Sequence, residues 1–518
     1  MPFTSSSRRT AFYWNSVTLL LAAVLWGHLT ARSERLPEPD YFRGDALRIG
    51  NQVQLLADDY IVEDRWKLER RVGSVVKHLG NPVIVQDKPW EGAIGGFPSV
   101  VFDEQTRKYR MYYDNFNLTH YFAPKPGYPS YYVGYAESED GVRWVKPEME
   151  AFPFAGFPRT NIVAIGLDGR RANAAQVILN PDQSNPDKRF IVLYIGGGLR
   201  LAYSADGLVW RTESEPIIKY HTDTMNHLVY VAEHSRWHLY LRPSLRSNGH
   251  GALPEGNRHT GRRVALAMSE DLKTWTQPRT IFYPDERDEP DYDQAVVFRR
   301  HGLFMAMYSQ MTQESGKSET QVYLATSRDG IHFERTWDRK PFIPRGPSGA
   351  FDHGQVSVGN SPPIERGEEM FMYYYASPEG QHSWYKETSV GLVRFRKERF
   401  IGQWAGKDTG YLLTRQFVLE GNRLLLNCTA LPIPYHQRGV DGIRVAIIEA
   451  PDYLSRETTY EKAIPGFGLD ECDSFTTDHT GYVVSWNGST DLSALRGKNV
   501  YLRFQLRNAG LYGFQIAP

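Results

Sequence analysis

The chain has 518 residues, enough for more than one domain with a sizeable core in each. Lys plus Arg and Asp plus Glu number 60 each, so the formal net charge is zero, which argues against nucleic acid or an anionic membrane surface as the main partner. Two cysteines, Cys428 and Cys472, are too few and too far apart for a zinc or redox motif; two buried thiols are expected, with a disulfide as the alternative.

At the N-terminus, Arg8 and Arg9 precede an uncharged stretch from Thr10 to Ala31 that contains the apolar run Val17–Trp26. A basic start with an apolar middle is the pattern of a secretory signal. Twenty-two uncharged residues are also long enough for an uncleaved membrane anchor. Either reading exports the rest of the chain. Residues 32–50 are polar, contain proline and read as a linker.

From residue 51 to about 408 one pattern recurs. Ser138-Glu139-Asp140-Gly141-Val142-Arg143-Trp144, Ser204-Ala205-Asp206-Gly207-Leu208-Val209-Trp210, Ser269-Glu270-Asp271-Leu272-Lys273-Thr274-Trp275 and Ser327-Arg328-Asp329-Gly330-Ile331-His332-Phe333 are spaced by 66, 65 and 58 residues. Each comes after an apolar strand and ends on an aromatic. Repetition at this interval, with a hairpin turn inside each unit, is the signature of a β-propeller. Asp-Gly suits the turn because it needs positive φ. Counting the second strand of each unit gives five: Tyr109–Tyr113, Phe190–Tyr194, Trp237–Leu241, Leu303–Tyr308 and Met370–Tyr375. The expected fold is therefore all-β, a five-bladed β-propeller with about four strands per blade. The fifth blade continues with Ser389–Val393 but lacks the Ser-x-Asp turn. From 409 to 518, strands such as Arg423–Cys428, Ile443–Glu449 and Val500–Leu506 with short turns predict a C-terminal β-sandwich.

A five-bladed propeller followed by a sandwich, with these Ser-x-Asp-Gly-x-x-Trp turns, resembles the glycoside hydrolase superfamily of invertases, levanases and arabinanases. Sialidases also carry repeated Asp turns, but with different Gly and aromatic spacing and six blades. The resemblance implies an exported glycosidase acting on a poly- or oligosaccharide, with no required cofactor. The invertase motifs themselves are missing. There is no Trp-Met-Asn-Asp-Pro-Asn-Gly segment and no Arg-Asp-Pro, and the Glu471-Cys472 pair falls in the sandwich.

Glycosidic cleavage needs one carboxyl to protonate the leaving oxygen and another to activate water or attack carbon. In a propeller these groups come from the starts of the innermost strands. The candidates are Glu91 in the first blade, Asp223 in the third, Asp293 in the fourth and Asp352 in the fifth. The second blade offers only Asn173. Glu91 is expected as the acid and Asp223 as the base or nucleophile. Trp90 is expected as a sugar platform; Arg242 is expected to hold a substrate hydroxyl or keep a carboxylate ionised. His382 is expected near the axis. The acids of residues 288–293 read either as a catalytic loop or as a calcium-type oxygen cluster. A non-catalytic carbohydrate-binding propeller is the competing reading. The sugar, the linkage and the oligomeric state are not written in the sequence.

Overall fold

Alternation along the second strand of each repeat determines how the molecule packs. In the Phe190–Ile195 strand all six side chains are buried. Phe190, Val192 and Tyr194 join one core cluster, while Ile191, Leu193 and Ile195 join another. Successive side chains of a strand point to opposite faces, so a strand apolar throughout is covered on both sides. Each such side chain contributes roughly 1.5–3 kcal/mol when fully buried.

This is a computed structural model that describes residues 46–163, 172–220, 222–223, 226–243, 262–289, 291–312, 318–381, 383, 387–430, 442–450 and 462–518. The expected signal or anchor lies outside the described residues. Nearly every regular element is a strand; among the described residues the α-helix is limited to Leu118–Phe122.

Four-stranded antiparallel units succeed one another along the chain. The first is Ala93–Asp103, Lys108–Phe116, Tyr131–Ser138 and Ile162–Val163. The second is Asn173–Leu179, Phe190–Ile195, Leu199–Ser204 and Arg211–Thr212. The third is His227–Val231, Arg236–Leu241, Val264–Ser269 and Arg279–Phe282. The fourth is Asp291–Arg300, Leu303–Met311, Thr320–Ser327 and Glu334–Arg335. The fifth takes Gln355–Val358, Glu369–Ser377 and Ser389–Arg396 from its own stretch, and its outer strand, Val76–Lys77, from the N-terminal side.

The core clusters link each unit to the next and the fifth back to the first. Tyr112 packs with Phe190 and Trp210, and Leu193 with Leu239. Tyr240 packs with Phe304, Met305 with Met372, and Tyr373 with Met111. The Ser-x-Asp turns sit at these contacts. In the first unit Asp140 Oδ1 accepts the amides of Val142 and Arg143, while Ser138 Oγ caps Gly141 N. Gly141 has φ of 74°, and a Cβ there would stand 2.9 Å from the Tyr373 hydroxyl of the fifth unit. That hydroxyl donates to Gly141 O at 2.6 Å. Tyr240 makes the same bond to Gly330 O at 3.0 Å. Glycine is required both for the turn and for the approach of the neighbouring tyrosine. In the third unit Leu272 takes the position at φ of 62°.

The remaining strands form two further sheets that share one core, with Leu424, Leu426, Val445, Ile447, Phe504 and Phe514 inside it. The expected boundaries are corrected here. Gln54–Leu55 pairs with Phe514 and Gly513, Val62–Trp66 with Gly410–Thr414, and Glu69–Val72 with Ile401–Ala405. Residues up to Val72 therefore belong to the C-terminal sheets, although 51–408 reads as one block in sequence. Pairing partners more than 300 residues away leave no local trace. Cys428 and Cys472 are free and buried; burial pushes their thiols up to about 12 and about 11.

Lys77 Nζ lies 2.6 Å from Asp352 Oδ2, whose side chain is 2% exposed. Replacing Lys77 by Met leaves that carboxylate buried without its cation, so the urea midpoint is expected to fall by the equivalent of about 3 kcal/mol. An unchanged midpoint would show that this pair does not secure the outer strand.

Candidate functional site

Antiparallel pairing places the starts of first and third strands, and the ends of second strands, at one end of every unit. The Ser-x-Asp turns, which come after third strands, lie at the other end. Asp223, Arg242, Arg262, Asp293, Asp114 and Tyr375 all belong to the first face.

The first strands meet one another through polar side chains. Ser99 Oγ accepts from Val177 N at 2.9 Å. Gln176 brackets Leu228, accepting its amide at 2.6 Å and donating to its carbonyl at 3.0 Å. His227 Nδ1 lies 3.0 Å from Asn360 Oδ1, joining the third unit to the fifth. Ser361 Oγ accepts from Val100 N at 3.1 Å, tying the fifth unit to the first. The centre is therefore filled by hydrogen-bonded polar groups.

Above this layer lies the acidic group. The ladder of Asp291–Arg300 slips between Tyr292 and Gln294, so Asp293 is bulged out of register. Bulges re-aim side chains and are common beside active sites. Asp293 is 1% exposed; its Oδ1 accepts from Arg262 Nη1 at 2.9 Å and its Oδ2 from Ser357 Oγ at 2.7 Å. Asp223, its side chain 43% exposed, is bonded by Arg242 Nη1. Burial pulls the Arg242 pKa down; Asp223, Asp293 and Asp291 oppose that and Arg262 adds to it. Asp223 and Asp293 are therefore brought into one electrostatic neighbourhood. Asp114, at the end of a second strand, is buried and accepts Ala174 N at 2.7 Å. The Tyr375 phenol is pushed up by burial and then by Asp293, Tyr131 and Asp114. The phenol therefore keeps its proton. Phe97, Ala174 and Asp223 have φ of 52°, 52° and 57° at or just before three first strands. Non-glycine residues in this conformation store strain of order 1–3 kcal/mol and cluster at functional sites.

Glu91 and Asp352 are not part of this group. Glu91 accepts the amides of Asp87 and Lys88, the Tyr113 hydroxyl at 2.9 Å and Lys146 Nζ at 2.8 Å. Asp352 accepts Lys77 Nζ and the Tyr374 hydroxyl at 2.8 Å. Asp288 repeats the device with Arg335, Arg339 and the Tyr292 hydroxyl. In each of these units an acid before the first strand meets a tyrosine hydroxyl and a cation, which lies on or just after the outer strand for Asp288 and Asp352 and between the third and outer strands for Glu91. These acids fasten the connection between strands, which corrects the expectation that Glu91 and Asp352 face the axis. A carboxylate with four donors suits a structural tie better than a proton donor.

Trp90 is also corrected. It is buried, its Nε1 donates to Asn161 Oδ1 at 2.7 Å and its carbonyl accepts the Tyr132 hydroxyl at 2.5 Å. It cannot stack on a ligand. Aromatic surface on the acidic face comes instead from the Leu118–Phe122 helix and its flanks. Phe116 stacks on Tyr131 at 4.6 Å, and Tyr121 and Phe122 are exposed. His382 lies outside the described residues. No group of three His, Cys, Asp or Glu fit to hold a metal occurs among the described residues. The acids of 288–293 expected as a calcium cluster are held by arginines and hydroxyls instead: Asp288 by Arg335 and Arg339, and Asp293 by Arg262 and Ser357. Two clefts, of 370 Å³ and 460 Å³, border the C-terminal sheets and do not involve Asp293.

Sequence reasoning missed Asp114, Tyr375, Arg262 and the Tyr121–Phe122 aromatics. Asp114-Asn115 interrupts the aromatic strand Tyr109–Tyr113, and Arg262-Arg263 precedes an apolar strand. Both breaks in pattern were readable, but only at strand ends other than those of the first strands.

No protein-family model matches the chain, and no curated protein matches it. Among solved structures it is similar to a protein described as a glycoside hydrolase, at 16% identity, covering 62% of this chain and 92% of that one, with a TM-score of 0.43. It is similar to a β-1,2-mannobiose phosphorylase from Listeria innocua at 14% identity, 62% and 96% coverage and a TM-score of 0.44. The α-L-arabinofuranosidase of Podospora anserina is similar at 10% identity, 62% and 96% coverage and a TM-score of 0.41.

Glu91→Gln should lower stability by about 3 kcal/mol, because Lys146 is left buried beside a neutral amide, while turnover changes less than about twofold; parallel melting and activity measurements check this. Burial draws both His227 and His238 down to about 4. Below the ordinary histidine value the unfolded chain takes up protons that the folded one refuses. Stability should therefore fall as pH drops from about 6.5 to about 4, by on the order of 3 kcal/mol per histidine. Urea midpoints measured across that range for the parent chain and for His227→Gln should show a shallower slope in the variant.

Proposed function

We propose that this chain is an exported glycoside hydrolase acting on a poly- or oligosaccharide, built as a five-bladed β-propeller with a β-sandwich domain. The cyclic packing of four-stranded units supports the propeller, and two sheets around one core support the sandwich. Export rests on Arg8, Arg9 and the apolar run after them. The observation that carries the catalytic reading is the convergence of Asp114, Asp223 and Asp293, from three different units, on one face beside Tyr375 and exposed aromatics.

In this reading Asp293, with donors on both oxygens, is the carboxylate that attacks carbon or takes a proton from water. Asp114, buried at the end of its strand, donates a proton to the leaving glycosidic oxygen. Water supplies the oxygen that ends on the anomeric carbon; where Asp293 has attacked carbon, Asp114 takes that water's proton and is restored, and where Asp293 takes it, the two carboxyls return to their starting states by proton exchange with solvent. Asp223, presented by Arg242 and half-exposed, accepts a substrate hydroxyl. Tyr121 and Phe122 offer the stacking surface that Trp90 does not.

A second reading is a carbohydrate-binding propeller without turnover. It is favoured by the ion pairs of Asp223 with Arg242 and of Asp293 with Arg262, which already occupy both carboxylates. Reducing-end assays on a panel of plant, fungal and bacterial glycans separate the two. Asp293→Asn and Asp114→Asn are each expected to lose 10²–10⁴-fold in kcat/KM, about the size of a general acid–base contribution. Full activity in both variants would remove these residues from the chemistry. Binding of a glycan by the parent chain with no cleavage would favour the second reading.

A further inference from the structure

We infer that the chain carries a second, rim-located carbohydrate-stacking platform formed by Trp337 and Tyr283, and that its substrate is a polymer long enough to reach it from the Asp293 group. The polymer part of this inference rests on the glycosidase reading above. The platform itself does not.

Trp337 is 77% exposed and Tyr283 is 61% exposed, in a molecule whose aromatics are otherwise mostly buried. Trp337 comes just after the outer strand Glu334–Arg335, and Tyr283 just after the outer strand Arg279–Phe282. Both outer strands run toward the face where Asp291–Arg300 begins. The segment from Tyr283 leads directly into that strand, so one short connection spans from the platform to Asp293.

The platform is also rigid. Arg287 lies 5.6 Å from the centre of the Trp337 ring and donates to Trp337 O at 3.0 Å. Arg335 donates to Tyr283 O and, at 2.6 Å, to the Tyr292 hydroxyl. Arg339 holds Asp285 and Asp288. An indole fixed on one side by a guanidinium and open to solvent on the other presents a flat apolar surface with hydrogen-bonding groups around it. That surface complements a sugar ring, whose C–H face stacks on aromatics while its hydroxyls meet charged side chains.

The test uses the full chain. Affinity electrophoresis in gels containing arabinan, levan, mannan or rhamnogalacturonan should retard the parent chain in at least one gel. Trp337→Ala should abolish or halve that retardation, and Trp337→Phe should restore most of it, with melting temperatures unchanged. Retardation identical in Trp337→Ala, or none for the parent chain in any gel, would overturn the platform. In activity assays Trp337→Ala should raise KM for the retarding polymer about tenfold, with kcat and the hydrolysis of short oligosaccharides unchanged. Equal losses on short and long substrates would overturn the distal placement. Asp293→Asn should still be retarded while losing activity. Retardation of the parent chain without cleavage of any of these polymers or their oligosaccharides would defeat the glycosidase reading but leave the platform standing.

Discussion

The structure depends on a two-residue strand. Val76–Lys77 supplies the outer edge of the fifth unit, so the last unit is completed by chain from before the first. A ring of sheets otherwise ends on an exposed edge and on a face with no neighbour, each a loss of burial. With that strand in place, Tyr373 packs against the first unit and its hydroxyl reaches Gly141 O. Lys77 in turn bonds Asp352, which anchors the start of the fifth unit's own first strand. Closure costs a long loop, but loop entropy grows only slowly with length.

The same closure brings to one face the residues proposed for the site, which are distant in sequence. Asp114, Asp223 and Asp293 are separated by more chain than any local motif could span. They share one face because each sits at or beside a strand end on the same side of units packed in a cycle. The polar layer of Ser99, Gln176, His227, Asn360 and Ser361 beneath them has a complementary role. It joins the first strands where they crowd together, so the acids above are held on a floor that cannot collapse apolarly. Burial keeps His227 neutral, and a neutral imidazole can both accept and donate, which suits a bridge between units.

Two kinds of paired carboxylate are thereby distinguished. Glu91, Asp288 and Asp352 are each enclosed by a cation and tyrosine hydroxyl within a unit, and the repetition of the arrangement marks it as architecture. Asp293 is aimed by a bulge and Asp223 by a left-handed backbone, and neither carboxylate takes part in the repeated tie. Departure from the repeat, more than acidity or burial, separates the proposed chemistry from the scaffold.

The repeat, its hairpin turns and the all-β character were legible in the residues alone, because these depend on local rules: alternation with period two, Asp-Gly in a turn of positive φ, and an aromatic to fill the seam. The sequence also placed Asp223, Arg242 and Asp293 among the candidates. Long-range packing, by contrast, turns Glu91, Asp352 and Trp90 into their own units, sets Asp114 and Tyr375 on the same face as Asp293, and lets residues 46–77 complete sheets whose other strands lie hundreds of residues later. A side chain's position before a strand is local information. Whether it turns toward the common face or toward the outer strand depends on which cation stands opposite, and that cation comes from another part of the chain.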